Sequence, residues 1–126
     1  MRRRKKIQRK NTWFNRFAEK EGISDSELSE AVNCLEAGQS DANLGGGVYK
    51  IRVARQGEGK AGGYRVIVFF RSEERTFFVY GFAKSDRGNI DEKELRTFKE
   101  RAKEAFSFTD EQIREHLIKR NFIEVL

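Results

Sequence analysis

Apolar residues recur with a helical period at both ends of the chain and with a two-residue period in its middle. In "TWFNRFAEKEG", residues 12–22, Trp13, Phe14, Phe17 and Ala18 share one face, Thr12 offers an N-cap and Gly22 a stop. That pattern predicts a short amphipathic helix. "SDSELSEAVNCLEAG", residues 24–38, places Ser24 and Glu27 at capping-box spacing, aligns Leu28, Ala31, Val32 and Leu35, and closes on Gly38. A second helix is expected there. "VYKIRVA", residues 48–54, then alternates, with Tyr49, Ile51 and Val53 on one face and Lys50 and Arg52 on the other, as a half-buried strand does.

"YRVIVFF", residues 64–70, and "RTFFVYGFA", residues 75–83, are apolar on both faces and separated by "RSEE". They read as central strands joined in a hairpin, and a chain without proline contains nothing to interrupt them. Asn89 and Glu92 have capping-box-like spacing ahead of a stripe of Leu95, Phe98, Ala102 and Ala105. Thr109 and Gln112 repeat the spacing before a last helix carrying Ile113, Leu117 and Ile118, and the final "FIEVL" suits a short strand. Two helices, three strands and further helices predict an α+β fold with an antiparallel sheet.

The 126 residues include eleven phenylalanines and 37% hydrophobic residues, enough for one modest core and too aromatic for a disordered chain. Cys34 is the only cysteine, and the longest aliphatic or aromatic run, residues 66–70, is far too short to cross a bilayer. The basic start is not followed by an apolar region, so no signal peptide is read. A soluble protein of the reducing cytoplasm, without membrane contact, is the expectation.

Charge sharpens this picture. Of the net +6, seven positive charges and no acid fall in residues 1–10, leaving residues 11–126 with 19 basic and 20 acidic side chains. Residues 1–10 therefore read as a basic arm ahead of a single domain, residues 11–126. Within that near-neutral body, "GGGVYKIRVARQGEGKAGGYR", residues 45–65, gathers seven of the eleven glycines and five basic residues around one acid, Glu58. Arm and island together point to a polyanion, although the arm alone suits a solubilising tail equally well.

Several chemistries drop out. "GEGKAGG" has Ala54 and Ala61 where a P-loop needs glycine and serine or threonine, and it sits between strands where a dinucleotide fingerprint would open a helix. His116 is the only histidine and lies far from Cys34, which leaves no metal set and no Ser-His-Asp triad; it reads as a surface residue. Phosphate handling without a metal or cofactor remains. Lys50 and Arg52 point the same way about 7 Å apart, suited to one phosphate or two successive ones, although spacing alone favours the plain solvated face of a half-exposed strand. If "RQGEGKAGG" connects a hairpin, Arg65 returns towards Arg52 and Arg55, and its glycines allow close approach to a ligand.

The stretches "GGGVYKIRVARQGEGKAGGYRVIVFF" and "RTFFVYGFAKSDRGNI" resemble the RelE/ParE superfamily of bacterial toxin-antitoxin systems, closest to its RelE-like, HigB-type branch. The resemblance runs from about Trp13 to Glu124. It implies a small α+β toxin with two N-terminal helices against an antiparallel sheet, ribosome-dependent cleavage of mRNA, and inhibition by a cognate antitoxin, usually one with a helix-turn-helix DNA-binding domain. It places the family's first strand within residues 1–10, where Ile7 is the only apolar residue after Met1.

By the same resemblance Lys50, Arg52 and Arg65 match the basic positions of the family's active-site strands, and Lys84 and Arg87 its later basic pair; Lys50, Arg52, Arg65 and Lys84 are then the expected catalytic residues, and Arg87, with Arg55, Lys60, Tyr64 and Tyr80 beside it, the expected RNA contacts. Attack of a 2′-hydroxyl on its own phosphate would leave a 2′,3′-cyclic phosphate. Lys50 is then a candidate base, Arg52 and Arg65 stabilise the developing charge, and Tyr64, Tyr80 or Lys84 supplies the leaving proton. Two rivals stand beside this reading. One is a ParE-like gyrase poison or a degenerate protein that only binds antitoxin; the other is a plain RNA-binding module, which would need an exposed aromatic platform that the core-like phenylalanines do not offer.

Overall fold

A computed structural model describes residues 7–55, 59–72 and 74–125, with backbone only at Arg55 and at residues 59–62. Strand β1 (Ile7–Asn11) opens the chain, followed by helices α1 (Thr12–Glu21) and α2 (Asp25–Glu36). Strands β2 (Ala42–Gly45), β3 (Val48–Arg55), β4 (Gly59–Arg71) and β5 (Arg75–Ala83) come next. Helices α3 (Glu92–Ser107) and α4 (Asp110–Ile118) and strand β6 (Phe122–Glu124) complete it. The strands form one sheet in the order β2-β3-β4-β5-β1-β6. Every pairing is antiparallel except β1 with β5, so the fold is α+β, with a mostly antiparallel sheet.

Both faces of β4 and β5 are buried, as their unbroken apolar runs require. Towards α1 and α2, Val66, Val68 and Phe78 pack with Phe14, Leu28 and Val32. Towards α3 and α4, Ile67, Phe69 and Phe77 pack with Ala102, Ala105 and Ile113. The β3 alternation holds: Tyr49, Ile51 and Val53 lie on the α1/α2 side. Val48 packs on the α3 side, leaving Lys50 and Arg52 further along that same face.

The local signals hold with small shifts. Ser24–Glu27 and Thr109–Gln112 form the expected capping boxes. The first helix is capped by Asn11, whose side chain accepts from the Phe14 amide at 2.7 Å, and not by Thr12. The third is capped by Asp91 with Glu94 instead of Asn89 with Glu92. The run Gly45, Gly46 and Gly47 makes the β2–β3 turn with φ of 90°, 63° and 82°, a left-handed path that L side chains rarely take. His116 is half-buried between the rings of Phe108 and Phe122, where a surface position was expected.

The boundary expected at residue 11 falls inside a strand. Ile7 to Lys10 pair with Arg75 to Phe78, so the last part of the basic segment belongs to the sheet. Lys10 is buried and donates to Asp25 at 2.8 Å, and Arg9 faces Glu124 at 3.5 Å. These two cations tie β1 to α2 and β6. Residues 1–6 lie outside the described residues.

Phe78 is fully buried whereas Ile118 is 75% exposed. Phe78→Ala is expected to cost about 3–5 kcal/mol in urea unfolding, and Ile118→Ser to change stability by less than about 0.5 kcal/mol.

Candidate functional site

The β3–β4 register sets Arg52 directly opposite Arg65 on one face of the sheet, with Lys50 opposite Ile67. Two like charges facing each other across strands repel. Asp41, at the end of the loop before β2, resolves the conflict. Its backbone N–H donates to the Lys50 carbonyl at 2.9 Å, which turns its carboxylate onto the cations. Arg52 Nε donates to Asp41 Oδ1 at 2.7 Å, while Lys50 Nζ and Arg65 Nε lie 3.5 and 3.6 Å from Oδ2.

Burial grades these groups. The Arg65 side chain is 4% exposed and that of Asp41 13%, whereas Arg52 is 47% exposed. Arg65 thus forms the floor of the cluster and Arg52 its solvent edge. Burial alone would push the Asp41 carboxyl up. The hydrogen bond from Arg52 and the charges of Arg52, Lys50 and Arg65 outweigh it and hold the group below its ordinary value.

A second cluster adjoins the first. Arg87 donates to Glu94 Oε2 and to the Tyr80 hydroxyl, both at 3.0 Å, and its guanidinium lies 5.5 Å from the centre of the Phe82 ring. The bond from Arg87, with one from the Asp91 backbone, holds Glu94 below the usual carboxylate range, and the bonds to Glu94 and Tyr80 raise Arg87. Asn89 links the clusters: its carbonyl accepts from Arg87 at 2.9 Å, and its side chain lies 3.4 Å from Lys50 Nζ.

The fold therefore brings Lys50, Arg52, Arg65, Arg87 and Tyr80 to one face. The chain from Ile7 to Val125 that builds this face matches the model of the RelE toxin of the RelE/RelB toxin-antitoxin system over residues 5–125. The chain belongs to the RelE toxin family.

Membership makes the protein a toxin of a toxin-antitoxin system and implies an antitoxin as partner. Not every residue proposed for this RelE-family toxin joins the site. Tyr64 points to the opposite face, 3% exposed, with its ring edge-on to Phe17 at 5.6 Å, so its side chain lies in the core and not beside the cations. Lys84 is exposed just past β5, its amide bonded to the Gly63 carbonyl at 3.2 Å. The side chains of Arg55 and Lys60 lie outside those described. Asp41 was missed because an acid in the loop ahead of the basic strand carries no motif; only the β2 pairing delivers it. Among the described residues no three His, Cys, Asp or Glu side chains gather as a metal site, and no helix is long and apolar enough to span a membrane.

Asp41→Asn is expected to cost about 1–3 kcal/mol at neutral pH, since it removes the counter-charge of two largely buried cations. The Asp41 contribution is complete above the ordinary aspartate pKa, about 3.9, and is lost as the pH falls through the lower value of the folded state. Urea unfolding from pH 7 downwards should show the gap between the two proteins closing below that pH. A gap of constant size would mean that the negative charge is not what stabilises.

Proposed function

We propose that the protein is a ribosome-dependent mRNA endonuclease that acts in the cytoplasm and whose cation cluster holds the scissile phosphate. One observation carries the reading: Lys50, Arg52 and Arg65 converge on a single carboxylate. Its two oxygens stand where the non-bridging oxygens of a phosphodiester would be held, an arrangement that charge-assisted hydrogen bonds favour. RNA enters from the Arg52 side and takes these bonds over from Asp41.

In the reaction the 2′-oxygen bonds to phosphorus and the bond to the 5′-oxygen breaks. The 2′-hydroxyl proton goes to a base, the role assigned to Lys50 in its uncharged amine form, and the 5′-oxygen takes a proton from Tyr80 or Lys84. The products are a 2′,3′-cyclic phosphate and a free 5′-hydroxyl. Arg52 and Arg65 bind the charge that grows on the phosphoryl oxygens, where a preorganised donor contributes most. The antitoxin, of the kind that carries a helix-turn-helix domain, silences the toxin by covering this face or by keeping it off the ribosome.

A second reading, a ParE-like gyrase poison or an antitoxin-binding protein without chemistry, draws support from the carboxylates themselves. Asp41 and Glu94 already engage four of the cations.

Mapping mRNA ends in a purified translation system separates the two. Wild-type protein should give cuts only with ribosomes present, and Arg52→Ala, altering a half-exposed side chain, should reduce them by about 10²-fold or more while leaving the melting temperature nearly unchanged. Absence of cuts from folded wild-type protein, with DNA damage on over-expression, would establish the second reading.

A further inference from the structure

Trp13, at the start of α1, is 47% exposed, an unusual position for so large a ring. It is nevertheless held firmly, stacked on Tyr80 with centroids 4.6 Å apart and on Phe17 at 5.5 Å. Beside it opens a cavity of about 540 Å³, walled by Trp13, Tyr80, Phe98, Phe108 and Phe122, with the exposed Arg101 and Glu104 also lining it. A volume of this order suits a small ligand with a flat apolar body.

We propose that this cavity is a nucleobase site, in which an unstacked base of the bound RNA lies against the Trp13–Tyr80 stack. The inference rests on the RNA reading above and names how that RNA is gripped beyond its phosphate. Three observations favour a base. Tyr80 belongs to both places: its ring walls the cavity and its hydroxyl is bonded to Arg87, which Asn89 ties to Lys50. Lys50 and Tyr80 both pair with Ile67 from opposite sides, so two strand spacings, about 10 Å, separate them.

A single strand whose phosphate sits at the cations can therefore place a neighbouring base in the cavity. Arg101 and Glu104, finally, supply a donor and an acceptor for a base edge, whereas the aromatic walls are indifferent to which base stacks. An apolar protein segment would cover the rings equally well but would make no use of the adjoining cations, which a phosphate of the same strand can reach.

Trp13 is the only tryptophan, so its fluorescence reports on this cavity alone. The full chain is titrated with a fluorescein-labelled, 2′-O-methyl single-stranded RNA, which cannot be cleaved by 2′-hydroxyl attack, and with the same backbone lacking bases. The intact RNA should quench Trp13 saturably and the abasic strand should not. Trp13→Ala should weaken anisotropy-measured binding of the intact RNA by about five- to a hundredfold, leave binding of the abasic strand unchanged, and be partly rescued by Trp13→Phe.

Quenching by the intact RNA alone, in a protein that makes no cuts in translation, would uphold the base site and reject the nuclease. Ribosome-dependent cuts with no quenching by bound RNA, or equal losses on both strands in Trp13→Ala, would overturn the base site and leave the nuclease standing. Trp13 fluorescence that responds to antitoxin and not to RNA would assign the cavity to a protein.

Discussion

Burial of the central strands on both faces is the constraint on which the remainder of the structure depends. Val66, Val68 and Phe78 on one side and Ile67, Phe69 and Phe77 on the other leave no face for water, so helices must cover both. That explains the order of the chain: α1 and α2 close one side before the sheet is built, and α3 and α4 close the other afterwards. The second cover reaches Val48 and Phe69 but not Arg52. The uncovered end of that face is where the basic residues stand.

Placing arginine in such a sheet has consequences of its own. Arg65 lies in a strand with buried neighbours on either side and opposite another arginine, a position that without an anion would be costly. Asp41 supplies the anion from the loop just before the edge strand, and so the cations are held at fixed spacing. Preorganisation of this kind is what a site that binds developing negative charge requires. It also makes the cluster a competitor with itself, because the carboxylate that orders the cations occupies the place of the phosphate proposed as their ligand. Arg87 repeats the arrangement with Glu94, on a bed of Tyr80 and Phe82.

Much of this was legible from residue order. The 3.6-residue stripes of α1 to α4, two of the capping boxes, the alternation of β3 and the doubly apolar β4 and β5 all depend on neighbours in sequence, and the chain states them locally. Placing Lys50, Arg52 and Arg65 together required one further assumption, a hairpin, and the register bears it out. Tyr64 shows the limit of such reasoning: adjacent to Arg65, it looks like part of the same patch, yet a strand sends successive side chains to opposite faces, and Tyr64 goes to the core.

The sequence by itself thus determined the four helices, strands β3 to β6, the two-sided core, the family resemblance and the set of cations, because periodicity, capping and motif spacing act over a few residues. Tertiary structure alone decided that the basic start supplies a strand inside the sheet, between β5 and β6, since Ile7 to Lys10 find their partners some 68 residues away in β5. It alone brought Asp41 to the cations and set Trp13 against Tyr80 beside an aromatic cavity. Such contacts are made by strand pairing and helix packing between distant segments, and no local pattern encodes which distant residue a side chain will meet.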